Sequence, residues 1–279
     1  GGGVSAIMAE LVAENPNLVS PNGADGSLSP LYVSTFWILI GIGVIGLPQI
    51  AVRAMSYKDS KGMHRAILIG TIGIGTIMFG MHLIGVFGRA VIPGIEIGDK
   101  VMPILTLEIL HPVLAGIVLA APMAAIMSTV NALLILVSST LVKDVYLNFI
   151  KPSAKDAEIK KMSFMVTTVV GVAVVFVALN PPDLLIWLNL FAFGGLESAF
   201  LWSVVLGLYW KGANKYGALA SMIVGLLSYI YIYHFHGNLF GMNSVTIPVV
   251  VSLLAFVIVS IGTRRLSPTS TFPSTSKSQ

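Results

Sequence analysis

The chain has 279 residues, 56% of them hydrophobic and 10% charged, with 28 Gly and a mean hydropathy of +0.90, whereas an average soluble domain carries about 25% charged residues. That deficit excludes an ordinary water-soluble enzyme and makes the bilayer the natural solvent. With no cysteine there is no disulfide framework or thiol nucleophile, and the net charge of +4 comes from 16 basic residues scattered between apolar runs, which is no footprint for nucleic acid.

The first residues, Gly1 to Gly3, hold no initiator Met, basic region or cleavage site, so the chain reads as part of a longer one. Residues 1–30 read as an external loop with a short amphipathic helix over 4–14, lying on the membrane surface. Crossing a bilayer takes about 20 mostly apolar residues. The uncharged runs 31–52 and 66–88 predict spans one and two. Residues 109–142 are too long for one upright helix and predict a tilted third span, started by His111-Pro112 and open to a kink at Pro122. Spans four and five follow over 162–182, ending at Asn180-Pro181-Pro182, and 184–210, whose only charge is Glu197. The stretch 216–263 divides at the polar turn 234–238 into spans near 216–233 and 244–263, seven in all, giving a transmembrane domain over 31–263. The Ser/Thr/Pro-rich residues 264–279 read as a disordered tail.

Cytoplasmic loops are enriched in Lys and Arg. One set of loops, from Arg53 to Arg65, Lys143 to Lys161, Lys211 to Lys215 and Arg264 onward, holds 14 of the 16 basic residues; the other has only Arg89 and Lys100. An outside N-terminus and an inside C-terminus follow.

Chemistry concentrates at three places. Gly41, Gly43 and Gly46 precede Pro48 and Gln49 in span one, and a proline without an N–H weakens the helix around Val44. Two readings stand: a helix broken at the midplane with Gln49 facing a cavity, as in transporters, or a kink with glycines for close helix packing. Arg53 reads as an interfacial anchor. In span three Gly116, Ala120, Ala124 and Ser128 form a small-residue face, and Ala125, Ser128 and Thr129 at i, i+3 and i+4 can aim one carbonyl and two hydroxyls at one point. Those neutral oxygens suit a weakly held hard cation; interhelical hydrogen bonding is the competing use. Glu197 is the one acid inside a span and, like His82, is either functional or a structural hydrogen-bonding group. No G-x-S-x-G, H-E-x-x-H or P-loop pattern occurs, and no Lys lies in a span to hold a retinal Schiff base. A seven-helix receptor or sensor module fits the topology alone.

Residues 46–58, 121–129 and 186–197, with Gly207, Gly217, Ser221 and Gly225 further on, resemble the sodium/solute symporter family over nearly the whole chain. That family's signature has a basic residue where this chain has Gly212, beside Lys211. The resemblance implies an all-α integral membrane protein of the leucine-transporter type, with two inverted five-helix repeats and thirteen spans. The seven spans would be the last seven: the second repeat plus two further helices, lacking the N-terminal helices they need. It assigns sodium to the Ala125 carbonyl and the Ser128 and Thr129 hydroxyls, and the solute to the neighbourhood of Gly46, Pro48 and Gln49; Glu197 stays an ion or structural residue. It implies no cofactor and no catalysis. Sodium would be the coupling ion, in a bacterial inner membrane, and pantothenate or a similar carboxylate the cargo, with proline or another small solute as the alternative.

Overall fold

The computed structural model describes residues 3–23, 25–95, 97–180 and 185–266. Among them all regular structure is helical. The chain divides into two compact units, one of residues 1–66 with 186–279 and one of residues 67–185.

The first unit begins with α1 (Val4–Glu14), whose bounds match the helix expected there. Helix α2 (Pro30–Gly43) starts where Ser29 accepts a hydrogen bond from the Tyr32 N–H, with Pro30 in the first turn where its missing N–H costs nothing. It ends in a 3₁₀ turn, Val44–Gly46, and α3 (Pro48–Ala54) sets off at 58° to it. The cause lies at Leu47. A residue before proline is driven out of the helical region, and Leu47 is extended at φ −77°, ψ 117°. The Val44 carbonyl, which Pro48 has no N–H to serve, accepts from the Leu47 N–H at 3.1 Å through the tighter turn.

The same unit holds α8 (Leu185–Tyr209, from residue 186 on), α9 (Lys215–Phe235) and α10 (Thr246–Gly262). Lipid tails provide no hydrophobic drive between helices, so close approach of small residues does the holding. A side-chain carbon at Gly225 would collide with the Ser198 carbonyl oxygen of α8, and one at Gly217 with Ser260 of α10. Ser198, Ser221, Ser252 and Ser260 are fully buried at these crossings. Polar ties reinforce them. Trp202 Nε1 donates to the Val249 carbonyl at 2.7 Å. Asn214 caps α9 by accepting from Tyr216 and Gly217 and donates to the Ser260 carbonyl at 2.9 Å.

In the second unit α4 (Ser60–Val91, from residue 67 on) meets α5 (Val101–Ile109) where Gly88 lies under Val101 and Leu105. Helix α5 was not expected from the sequence: its nine residues are too few to read as a span, and its Glu108 breaks the apolar run. Helix α6 (Pro112–Ser139) runs through Pro122 without ending and continues as a π-helix, Thr140–Ile150, past the boundary expected at 142. A salt bridge of 2.7 Å from Lys151 to Glu158 leads into α7 (Asp156–Ala178), and Ser138 donates to the Ser163 carbonyl to tie α6 to α7.

Among the described residues five helices are long and apolar enough to cross a membrane, six if the bent pair α2–α3 counts as one span. The seventh expected span is α10, apolar but only 17 residues long, at the lower limit of about 17. The end of span four at Pro181-Pro182 and the tail beyond Leu266 lie outside the described residues.

Candidate functional site

In the second unit, Ala125, Ser128 and Thr129 stand on an exposed stretch of α6. The Thr129 hydroxyl donates to the Ala125 carbonyl at 3.2 Å, so two of the three expected oxygens are neighbours. Threonine back-bonding to the i−4 carbonyl is common in helices. Here it also brings together two neutral hard oxygens, able to share a cation once the hydroxyl proton turns away. His82 is local as well: its Nδ1 lies 2.7 Å from the Met78 carbonyl oxygen.

The first unit contains the helix break and a cavity. The cavity, about 200 Å³, is walled by α2 (Tyr32 to Val44), α8 (Trp187 to Glu197), α9 (Tyr229 and Tyr233) and residues 238–245. Two hydrogen bonds tie that last segment to α2: Ser29 Oγ donates to the Gly241 carbonyl at 2.7 Å, and the Asn243 N–H to Thr35 Oγ1 at 3.1 Å. Gly46, Pro48 and Gln49 are not among the residues lining this cavity. Gly46 instead presses on the backbone of Leu201, and Gln49 buries its Oε1 without a hydrogen-bond partner among the described residues. Both sequence readings of this stretch therefore describe something present: the helix is broken, and Gly43 and Gly46 admit close contact with α8.

Glu197 is 5% exposed and lines the cavity. Its carboxylate fits because Gly43 has no side chain: a Cβ there would lie 2.6 Å from Oε2. The sequence flagged Glu197 but neither this partner, over 150 positions away, nor the phenols of Tyr32, Tyr229 and Tyr233 around it. Tyr229 and Tyr233 stand at i and i+4 on α9, but Tyr32 comes from α2, and no spacing in the sequence joins the two helices at a common cavity.

Long apolar helices, one of them broken and facing a cavity with a buried acid, define a polytopic helical membrane protein. The chain belongs to the sodium:solute symporter family, whose model matches residues 1–225. It is 50% identical over 272 residues to the sodium/pantothenate symporter of Haemophilus influenzae, covering 96% of this chain and 56% of that protein. It is likewise 50% identical to the sodium/pantothenate symporter of Escherichia coli over 259 residues, 92% of this chain and 53% of the relative. The osmoregulated proline transporter of Bacillus subtilis is more distant, 32% identical over 269 residues, 95% of this chain and 54% of that one. The chain spans about half the length of the curated relatives it matches. No solved structure matches it.

Proposed function

We propose that these residues are the C-terminal part of a sodium-coupled symporter that imports pantothenate by alternating access across a bacterial inner membrane. The observation that carries the transporter reading is the apolar helix broken by 58° at Leu47-Pro48, the device by which transporters expose backbone at membrane depth. Pantothenate is favoured over proline by the 50% identity to two sodium/pantothenate symporters against 32% to the proline transporter. In this reading Ala125, Ser128 and Thr129 are three of the oxygens that take sodium, and Gly46, Pro48 and Gln49 lie beside the solute. The unpartnered Gln49 amide oxygen is a group such a solute can satisfy. Inward sodium gains about 2.3 kcal/mol per 100 mV of membrane potential, which drives the solute uphill. The N-terminus is outside and the C-terminus inside.

The test is uptake of radiolabelled pantothenate by the full-length symporter against sodium concentration, with membrane protein quantified. Ser128→Ala and Thr129→Ala each raise the half-saturating sodium concentration by roughly tenfold, about 1.4 kcal/mol for one lost ligand, and high sodium restores the rate. An unchanged half-saturating concentration in both variants removes the two hydroxyls from the ion site. Failure of pantothenate to compete while proline does overturns the cargo.

A further inference from the structure

We propose that Glu197 and the cavity it lines bind a small monovalent cation, sodium or a proton, at a second site made of residues other than Ala125, Ser128 and Thr129. The argument begins with cost. A carboxylate at membrane depth is expensive unless it is paired or neutralised, and Glu197 is 95% buried. It forms no hydrogen bond or ion pair with any described residue, and no Lys, Arg or His lines its cavity. The titratable groups that face it are Tyr32 from α2 and Tyr229 and Tyr233 from α9, while α8 and residues 238–245 add none. The negative charge therefore has no compensating group in its surroundings.

The cavity is built to supply what the carboxylate lacks. Tyr32, Tyr229, Tyr233, Asn238 and Asn243 share its wall with Glu197, and phenols and side-chain amides are the kind of neutral hard donor that accompanies one acid in a cation site. Gly43 leaves its face of the carboxylate uncovered by any side chain, with Oε2 against the helix backbone just before the break. An anion is the wrong occupant, because a solute carboxylate would meet the like charge of Glu197 in a low-dielectric setting.

The inference rests on the symporter reading only for its transport assay, and chemical labelling tests it independently. Full-length protein in membranes is treated with a hydrophobic carbodiimide, which adds to a protonated carboxyl, and Glu197 modification is read by peptide mass. If sodium is the occupant, saturating sodium chloride lowers modification at least fivefold relative to choline chloride at one pH. If a proton is the occupant, modification falls at least fivefold from acid to alkaline pH and sodium has no effect. Modification insensitive to both, or none at any pH, overturns the proposal. In uptake, Glu197→Gln makes the sodium dependence less steep or flattens the pH profile; wild-type steepness and pH profile at normal protein level overturn it as well. Should Glu197→Gln not accumulate, the labelling decides alone. Protection of Glu197 together with unaltered sodium dependence in Ser128→Ala and Thr129→Ala would sink the first sodium site and leave this one standing.

Discussion

Replacing Gly46 by Ala separates the packing role of the broken helix from its flexibility. A Cβ built there lies 2.7 Å from the backbone N of Leu201, 2.8 Å from its Cα and 3.1 Å from its Cβ. Contacts of this kind settle at about 3.5–4.0 Å, so the break must move off α8 by roughly 0.7–1 Å. The obstructing atoms are mostly backbone and cannot rotate away. Forcing a methyl into such a site costs about 1–3 kcal/mol, against a gain of at most about 1 kcal/mol from giving up glycine's freedom. The net expectation is a loss of up to about 2 kcal/mol. Gly41→Ala is the control: it lies in α2, five residues earlier, and a Cβ there meets nothing within 4 Å, so that variant gains about 0.5–1 kcal/mol. The assay is the unfolding midpoint of purified full-length protein titrated from mild detergent into dodecyl sulfate. Equal midpoints for the two variants would refute the contact between the break and α8, since flexibility alone does not distinguish them.

Asn214→Ala removes the cap of α9 and its tie to the end of α10, and lowers the same midpoint by about 1–2 kcal/mol. Trp202→Phe deletes the bond to the Val249 carbonyl while keeping an aromatic ring, and costs about 0.5–1.5 kcal/mol. Single cysteines introduced on this cysteine-free background at 151–161 react with a membrane-impermeant maleimide only from the cytoplasmic face, and those at 15–23 only from the other; the reverse pattern sinks the orientation. The 279 residues reconstituted alone in liposomes show no sodium-dependent pantothenate uptake, because Ala125, Ser128 and Thr129 lie exposed on α6 and offer fewer than the roughly six oxygens a hard cation gathers.

What was legible in the sequence is what depends on local chemistry. Apolar runs between charges gave the long helices to within a few residues, and Pro48 marked the break because the restriction on its predecessor acts within one peptide unit. Boundaries failed where amphipathic sequence continues a helix beyond the apolar run. Lys143 and Asp144 sit inside the π-helix that extends α6, and Asp156 to Lys161 form the first turns of α7. The Ala125–Thr129 pair was readable because i and i+4 are neighbours on any helix. The Glu197 cavity was not. Gly43, Tyr32 and Tyr229 reach it from segments brought together only by tertiary packing, which no periodicity encodes.

The two readings of the glycine-rich stretch before Pro48 were alternatives only because a sequence cannot show both faces of a helix at once. A proline break by itself leaves two short apolar segments, each poorly held, since helices in lipid gain little from burying leucine against leucine. Something must fix the break while its backbone stays open to a ligand. Gly43 and Gly46 do so by letting α2 and the following turn approach α8 until the backbone meets the Glu197 carboxylate and the Leu201 amide. Any larger residue at either position would push the broken segment away and loosen the geometry that Pro48 creates. The cavity wall follows from the same contact, because Val44, one residue after Gly43, faces the cavity with Glu197. A ligand drawing Glu197 toward the cavity would therefore change what Gly43 rests against, and with it the seating of the break. That gives cation binding at Glu197 a direct mechanical route to the part of the helix that a transporter must rearrange.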